Sequence, residues 1–455
     1  MSGLRGFLVA GTSSGCGKTS VSLGLMAALA GRGLDVRPFK AGPDFIDPGH
    51  HAAALGRISH NLDGWMLSRR GVREIFARYA SGGDVALVEG VMGLFDGASG
   101  RDDSGSTAQL AKWLGLPVVL VLDARSMARS IAALAAGFVR FDPDICFAGL
   151  VLNRVGSPAH EQLLREALEA VPEVPLLGCL RRDADLELPS RHLGLVSPEE
   201  SGAGAACYAR LGQWVEQGLS LDKLLRSLSG HDSAMPQDRP GAKTVVRLGV
   251  ARDAAFSFCY VENLRLLEAA GAKLHFFSPL EDGGLPPDLD GLYLPGGYPE
   301  LHAQRLAANE TMRASVRAFC ASGRPVYAEC GGFLYLLSDL RDQQGRDWDM
   351  CGVYPGRARM RERFAALGYR EVRTLVPTLL GPAGSVARGH EFHYSELEGA
   401  PGGQAVYAVS GRTGQAVDVS GFALGNVLGS YIHLHLGSNP ALAEHLIRAC
   451  AIGRS

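Results

Sequence analysis

A glycine-rich run near the start of the chain has the residue types of a phosphate-binding loop. It follows the apolar residues 7–10 and consists of Gly11, Thr12, Ser13, Ser14, Gly15, Cys16, Gly17, Lys18 and Thr19. In such loops backbone N–H groups surround the phosphates, the lysine contacts the β and γ oxygens, and the next hydroxyl binds Mg²⁺. The first glycine lies one position earlier than in the common pattern G-x-x-x-x-G-K-S/T. The run predicts a nucleotide site with displaced spacing, and a turn without a ligand is the alternative.

Acidic residues follow two of the predicted strands. Glu89 comes directly after an apolar strand, and Asp44 and Asp47 lie in a loop after the preceding predicted strand. Ligands of open α/β sheets bind at the carboxyl ends of strands, where carboxylates can hold Mg²⁺ beside a nucleotide. We therefore predict Thr19, Glu89 and Asp44 as metal ligands. Turn formation by the two aspartate side chains, next to Pro and Gly, is the alternative.

A candidate nucleophile lies in the second half of the chain. The predicted strand at 325–329 leads into Cys330 and Gly331 with a helix after them, as in a nucleophile elbow that favours a thiolate. Gly296 and Gly297 follow a neighbouring strand, and their N–H groups, with that of Gly331, could form an oxyanion hole. A buried structural cysteine is the alternative.

The candidate base for this thiol is His433. In a strand, His433 and His435 would project to one face. Two further histidines, His390 and His393, flank Glu391 in a pattern that is not H-E-x-x-H. A zinc site built from the four histidines is an alternative hypothesis, although its third ligand cannot be placed from the sequence.

Alternating helices and strands must position these residues. Apolar β-branched runs separated by helical segments indicate a parallel sheet that is covered on both faces, twice along the chain. The predicted domains are 1–217 and 244–455, joined by a polar, Pro-containing linker at 218–243. Asn153, after the strand at 148–152, could contact a purine base, and an ordinary turn residue is the alternative.

The bulk composition excludes several classes of protein. A chain of 455 residues is too long for a single ordinary hydrophobic core, so two or three domains are expected. A net charge of −2 gives no strongly basic surface for binding nucleic acid. No apolar run approaches the length that spans a bilayer, so we expect a cytoplasmic protein without a membrane partner. Nine cysteines without a C-x-x-C pair disfavour disulfides and zinc.

Nearly the whole chain resembles the glutamine-dependent a,c-diamide synthases of corrin biosynthesis. The first part is similar to nucleotide-binding domains of the dethiobiotin-synthetase type, and the last part to class I glutamine amidotransferases. The motifs that carry the resemblance are the loop Gly11–Thr19, residues 40–48, 88–97, 294–300, 328–332 and 431–435. The position of the displaced glycine matches the loop spacing found in the dethiobiotin-synthetase group. Ser13 stands where the partition-type ATPases carry a signature lysine.

The resemblance implies a fold class and a reaction. The fold class is α/β: a P-loop domain with a mostly parallel sheet, followed by a glutamine amidotransferase-like α/β domain. ATP and Mg²⁺ would activate the a and c acetates of the macrocycle as acyl phosphates. Cys330 and His433 would release ammonia from glutamine. The ammonia would then need a route to the site where ATP activates the acetates. Class I enzymes usually have His-x-Glu, whereas His435 occupies the glutamate position, so we expect a Cys–His dyad.

Substrate recognition and several alternatives complete the prediction. A tetrapyrrole polycarboxylate should be held near the loop by Lys40, Asp47, His50 and His51, unless these are ordinary surface charges. The resemblance slightly favours hydrogenobyrinic over cobyrinic acid, and a nickel-sirohydrochlorin diamide synthase is an alternative. A partition-type ATPase switch with an inactive glutaminase-like tail is another. The partners are small molecules, and the oligomeric state is open, with a homodimer among the options.

Overall fold

Apolar runs rich in Val and Leu form the central sheet of the first unit. The computed structural model describes residues 4–191, 194–196, 198–202, 204–231 and 245–453. Its two units are Met1–Gln237 and Asp238–Ser455. The first sheet contains β1 (Leu4–Gly11), β2 (Val36–Ala41), β3 (His60–Leu62), β4 (Val85–Glu89), β5 (Val118–Asp123), β6 (Phe147–Val155) and β7 (Leu176–Arg181). These strands are parallel, in the order β3-β2-β4-β1-β5-β6-β7.

Helices alternate with these strands, which is the βαβ pattern of a doubly covered sheet. They are α1 (Lys18–Gly31), α2 (Ile46–Leu55), α3 (Arg69–Ala80), α4 (Thr107–Leu114), α5 (Ser130–Phe141), α6 (Pro158–Leu168), α7 (Pro198–Ser201), α8 (Ala205–Gly218) and α9 (Leu221–Ser227). The short strands β8 (Ser190–Arg191) and β9 (Gly194–Leu195) pair with each other. Helix α1 places Val21, Leu25 and Leu29 in a core that also contains Leu87 and Val119 of the sheet.

Three predictions for this unit differ from the structure in detail. Lys40 lies within β2 rather than in the loop after it. The predicted loop at 40–51 contains the start of α2. Pro48 is compatible with this helix since it falls in the first turn, where a missing N–H is tolerated. Asn153 lies inside β6, which continues to Val155, rather than at a strand end.

The segment predicted as a linker contributes partly to the first unit. Residues 221–227 form α9, and β10 (Gly230–His231) pairs antiparallel with β1. Leu221 and Leu224 are buried in the core under the sheet. The described part of the segment 218–243 is therefore folded against the first unit, and residues 232–243 lie outside the described residues.

The second unit is built on a mixed sheet. Its strands are β11 (Val246–Ala251), β12 (Ala272–Phe277), β13 (Gly291–Leu294), β14 (Val326–Glu329), β21 (Gln404–Ala405), β23 (Gly421–Leu424) and β24 (Val427–Ser430), in the order β12-β11-β13-β14-β24-β23-β21. The first five in that order are parallel, and the last two pair antiparallel. Its helices are α10 (Val261–Ala269), α11 (Ala303–Ala308), α12 (Glu310–Ala321), α13 (Gly331–Leu336) and α14 (Ala441–Ile452).

Two smaller sheets, which the sequence did not predict, accompany the mixed sheet. One contains β18 (Ala366–Thr374), β19 (Val386–His393), β22 (Tyr407–Gly411) and β25 (His433–Leu434). The other contains β15 (Asp339–Arg341), β16 (Asp347–Asp349), β17 (Arg357–Met360) and β20 (Ser395–Glu398). Strand β25 pairs with β19 and places His433 opposite His390. Among the described residues of both units, no helix has the length and apolarity needed to cross a membrane.

Helices α1 and α8 pack closely at a glycine, which yields a stability prediction. A Cβ on Gly24 would lie 2.5 Å from Val215 Cγ2 and 2.8 Å from the carbonyl oxygen of Leu211, whereas a Cβ on Gly31 of the same helix meets nothing within 4 Å. We expect Gly24→Ala to lower the free energy of unfolding by about 1–3 kcal/mol through overpacking. The matched Gly31→Ala variant should be neutral or slightly stabilising. Urea unfolding followed by circular dichroism checks this, and equal stability of the two variants would contradict it.

Candidate functional site

The phosphate loop connects β1 to α1, and its glycines are required by local geometry. Gly15 and Gly17 have φ angles of 77° and 95°, in the left-handed region that favours glycine. A Cβ on Gly11 would lie 2.2 Å from Cys16 Sγ and 2.9 Å from Lys18 Cγ. The displaced glycine is therefore explained by the side chains of Cys16 and Lys18, which fold back against position 11. Because α1 begins at Lys18, the loop presents the N–H groups of a helix N-terminus to an anion.

The outer part of the loop faces solvent, while its lysine is largely buried. Ser13, Ser14 and Gly15 are exposed, and Thr12 N donates a hydrogen bond back to β5. Lys18 Nζ donates to the carbonyl oxygen of Ser13 at 3.1 Å. Burial lowers the pKa of Lys18. A phosphate oxygen would compete with that carbonyl for the ammonium group.

Two residues within the last part of β6 brace the loop. Asn153 Nδ2 donates to the carbonyl oxygen of Cys16 at 2.9 Å, and Arg154 Nη1 donates to that of Gly15 at 2.7 Å. Arg154 also forms an ion pair with Asp123 at 2.6 Å. Asn153 is buried and its amide supports the loop backbone, while its contact with a base stays a prediction. The bracing role of Arg154 was not predicted from the sequence, because it depends on the fold of a distant loop.

Glu89, at the end of β4, is the centre of a buried polar cluster. Its Oε1 accepts from Thr19 Oγ1 at 2.6 Å and from Lys40 Nζ at 3.0 Å, and His51 Nε2 lies 2.8 Å from its Oε2. Lys40 is also paired with Asp47 at 2.5 Å. Burial opposes ionisation of Glu89, but Lys40 and the hydrogen bonds from His51 and Thr19 lower its pKa below the ordinary value. The carboxylate is therefore ionised.

The predicted metal ligands fit Mg²⁺ to different extents. The Thr19 hydroxyl and the Glu89 carboxylate are hard oxygen donors 2.6 Å apart beside the loop. Mg²⁺ usually takes only one or two protein carboxylates, with water and phosphate oxygens completing its shell. Asp44 Oδ1 accepts from Ile46 N at 2.8 Å, which is the turn contact given as its alternative role. Thr19 and Glu89 would therefore hold the ion.

The four predicted substrate residues, Lys40, Asp47, His50 and His51, are all buried. His50 is fully buried, with Nδ1 2.9 Å from Tyr208 Oη and Nε2 2.8 Å from the carbonyl oxygen of Val196. His51 is equally buried and bonds Ser59 as well as Glu89. Lys40 is 3% exposed and is held by two carboxylates. These side chains are engaged inside the unit, and their contact with a substrate stays a prediction.

The candidate nucleophile occupies a strained elbow in the second unit. Cys330 lies between β14 and α13 with φ 44° and ψ −106°, a conformation that a residue with a Cβ rarely adopts. Its N–H donates to the carbonyl oxygen of Ser430 at 2.7 Å, which fixes the elbow to β24. The residue lines a pocket together with Gly297, Glu300 and His393. Burial raises the pKa of the Cys330 thiol.

The three predicted oxyanion-hole glycines pack closely around this elbow. A Cβ on Gly331 would lie 2.9 Å from Gly297 N. A Cβ on Gly297, whose φ is 157°, would lie 2.1 Å from the carbonyl oxygen of Ala255. A Cβ on Gly296 would lie 2.1 Å from His433 Cε1. The structure therefore brings the glycine loop, the elbow and His433 together.

His433 is buried with its ring held between neighbours. Its ring stacks on His390, with centroids 4.8 Å apart and planes at 11°, and His390 Nδ1 lies 2.8 Å from Tyr260 Oη. Burial, together with the nearby His393, lowers the pKa of His433 to about 3. The imidazole is therefore neutral near pH 7, as a general base requires. His390 and Gly296 hold the plane of the ring.

His435 occupies the position of the class I glutamate, and its ring contacts Gly437 and Tyr260. Its Nδ1 accepts from Gly437 N at 3.1 Å, and its ring lies against Tyr260 with centroids 4.6 Å apart. Among the described residues, no group of three His, Cys, Asp or Glu side chains is arranged to hold a metal ion. The zinc hypothesis for the four histidines therefore has no geometric support in the part of the chain described.

Glu329 is a further residue that sequence reasoning missed. Its carboxylate accepts hydrogen bonds from Tyr293 Oη at 2.8 Å, from Tyr327 Oη at 2.5 Å and from Leu434 N at 2.9 Å. Burial raises the pKa of Glu329 to about 7, against the lowering effect of these donors. Because Leu434 follows His433, this carboxylate fixes the strand that carries the candidate base to the strand that carries the nucleophile. Its position directly before Cys330 was the available signal.

Two family models together match most of the chain. Residues 7–196 match the CobQ/CobB/MinD/ParA nucleotide binding domain, and residues 247–441 match the CobB/CobQ-like glutamine amidotransferase domain. Both matches agree with the fold class predicted from the sequence.

Whole-length relatives give the same result. Cobyrinate a,c-diamide synthase of Syntrophotalea carbinolica is 46% identical over 97% of the chain and 98% of that protein. The hydrogenobyrinate a,c-diamide synthase of Streptomyces coelicolor is 44% identical, and the cobyrinate a,c-diamide synthase of Salmonella typhimurium 42% identical, each over 97% of both chains. The resemblance inferred from the motifs is thereby confirmed, and the chain belongs to the family of cobyrinate and hydrogenobyrinate a,c-diamide synthases.

Proposed function

We propose that this chain amidates the a and c acetate carboxylates of a corrin acid, cobyrinic or hydrogenobyrinic acid, with ATP, Mg²⁺ and glutamine, in cobalamin biosynthesis. The observation that carries the proposal is the presence, in one chain, of a phosphate loop beside ionised Glu89 and a cysteine elbow beside neutral His433. A carboxylate is a poor electrophile and needs activation, and an amide needs a nitrogen donor. The two sites supply these two requirements.

Activation takes place at the phosphate loop. The loop N–H groups and Lys18 bind the phosphates of ATP, and Thr19 and Glu89 would hold Mg²⁺, which would neutralise charge on the transferred group. An oxygen of the corrin carboxylate attacks the γ-phosphorus, the bond to the ADP oxygen breaks, and an acyl phosphate forms. Ammonia then attacks the acyl carbon and inorganic phosphate leaves.

Nitrogen release takes place at the elbow. Cys330 Sγ attacks the side-chain amide carbon of glutamine while His433 takes the thiol proton. The N–H groups of Gly296, Gly297 and Gly331 bind the oxyanion of the tetrahedral intermediate. His433 returns the proton to the leaving nitrogen, ammonia departs, and water hydrolyses the thioester to glutamate.

The direct test supplies both corrin acids. Purified protein is incubated with cobyrinic or hydrogenobyrinic acid, ATP, Mg²⁺ and glutamine, and the amides formed are counted by mass. We expect two amides on at least one acid, and the ratio of rates identifies the substrate. Relatives named for either substrate have similar identity to this chain, so only the assay separates them. No amide on either acid, with ATP hydrolysis stimulated instead by DNA or vesicles, would refute the proposal.

Replacement of the nucleophile should separate the two nitrogen sources. We expect Cys330→Ser to lower glutamine-dependent amidation by about 10³-fold or more, because the hydroxyl is a poor replacement for the thiolate. Amidation with ammonium salts should be retained. Cys146→Ser, at an exposed cysteine in the first unit, is the control and should behave as the parent protein. Equal loss with glutamine and with ammonia would show that Cys330 has a different role.

Removal of the Thr19 hydroxyl should stop amidation from either nitrogen source. We expect Thr19→Val to lower the amidation rate by about 10²-fold or more and to raise the Mg²⁺ concentration needed for half-maximal rate, since a ligand is lost. Ser22→Ala is the matched control, because Ser22 lies on the same helix and its hydroxyl has no hydrogen-bond partner among the described residues. An unchanged Mg²⁺ dependence in Thr19→Val would contradict the assignment.

A further inference from the structure

We infer that the Glu300 carboxylate binds the α-ammonium group of glutamine in the Cys330 pocket and so determines which amides this site accepts. The inference rests on the proposed role of Cys330 as the glutaminase nucleophile. It goes beyond that role because it names the side chain that recognises the part of glutamine that does not react. Glu300 is thus a specificity-determining residue of the second unit.

Glu300 differs from the other carboxylates near the nucleophile. Three carboxylates in the described part of the chain raise the pKa of the Cys330 thiol: Glu300, Glu391 and Glu329. Glu391 accepts a hydrogen bond from Arg370 Nε at 2.7 Å, and Glu329 accepts from two buried tyrosine hydroxyls. Of the three, Glu300 lines the pocket. A ligand that enters the pocket therefore meets the carboxylate of Glu300.

The Glu300 carboxylate lies close enough to the nucleophile to contact the same substrate molecule. After burial, it is the largest cause of the raised pKa of the Cys330 thiol. Interactions between charges weaken with distance, so this effect requires a carboxylate near the sulfur. In glutamine the ammonium nitrogen is only a few bonds from the amide carbon that the thiol attacks. A glutamine molecule whose amide lies at Cys330 can therefore place its ammonium group at Glu300.

The wall that carries Glu300 is fixed to the nucleophile elbow. Glu300 lies in the short 3₁₀ helix Pro299–His302. A Cβ on Gly331 would lie 2.9 Å from Pro299 Cδ, so this helix packs directly on the elbow. The Tyr298 ring packs edge-on against Phe258, with centroids 4.7 Å apart. The carboxylate is therefore held in place relative to the reacting atoms, as substrate positioning requires.

The remaining lining of the pocket strengthens the recognition of an ammonium group. Much of it is apolar and includes Phe258, Leu334 and Met360. His393 also lines the pocket, but its two ring nitrogens are bonded to Glu391 and to the carbonyl oxygen of Ser395. In apolar surroundings an ammonium group interacts strongly with a carboxylate. An amide that lacks the ammonium group gains nothing from Glu300.

The test compares L-glutamine with glutaramate, which differs only in lacking the α-amino group. Full-length protein without ATP or corrin is treated with iodoacetamide, and the concentration of each amide that halves alkylation of Cys330 is measured by peptide mass. We expect L-glutamine to protect at a roughly 10–100-fold lower concentration than glutaramate, because it adds one charge-assisted interaction. In Glu300→Gln the two concentrations should differ by less than about 3-fold. Glu444→Gln, at an exposed position on α14, is the control and should keep the ratio of the parent protein.

The ratio of the two amides separates recognition from general damage to the site. Glutaramate does not use Glu300, so it should protect Glu300→Gln and the parent protein at similar concentrations. Equal protection by the two amides in the parent protein would overturn the inference without any variant. A ratio that persists in Glu300→Gln, including equal weakening of both amides, would overturn it as well. Neither result depends on amidation, so failure of the proposed function appears separately, as retention of glutamine-dependent amidation in Cys330→Ser.

Discussion

The first unit depends on one buried carboxylate. Glu89 is completely enclosed and receives Thr19 from α1, Lys40 from β2 and His51 from α2. A buried ion is expensive unless it is paired and hydrogen-bonded, so these donors must be in place for the fold to be stable. The same contacts bring a strand end and two helices to one point beside the phosphate loop. The requirement to neutralise Glu89 therefore also builds the proposed metal site.

A second strand-end carboxylate organises the other unit by a different balance. Glu329 is bonded to Tyr293, Tyr327 and Leu434, all of which are neutral donors. Without a cation beside it, burial raises the pKa of Glu329 to about 7, whereas Lys40 keeps that of Glu89 low. Glu89 can therefore stay ionised and keep a cation beside it. Glu329 instead connects the strand that precedes the proposed nucleophile with the strand that carries its proposed base.

The sequence predicts the parts of each site that have a local pattern. An apolar run that ends in Glu89, or in Cys330 followed by glycine, identifies a strand and its functional end at once. The partners of these residues come from far along the chain: Leu434 donates to Glu329, and His393 reaches the thiol pocket from β19. No local pattern reports such pairing. The internal positions of Asp47, His50 and His51 likewise depend on α2, in which Pro48 is typical of a turn as well as of a first helical turn.

The bracing of the phosphate loop favours a synthetase over a switch. A switch needs a segment with two arrangements of similar free energy, whereas phosphoryl transfer to a bound carboxylate needs donors that are already in position. Here Asn153 and Arg154 hold the loop carbonyls, and Asp123 holds Arg154 in turn. Gly11 lets the side chains of Cys16 and Lys18 pack against the strand end. The displaced glycine is thus part of a preorganised anion site, and its spacing follows from the packing beneath the loop.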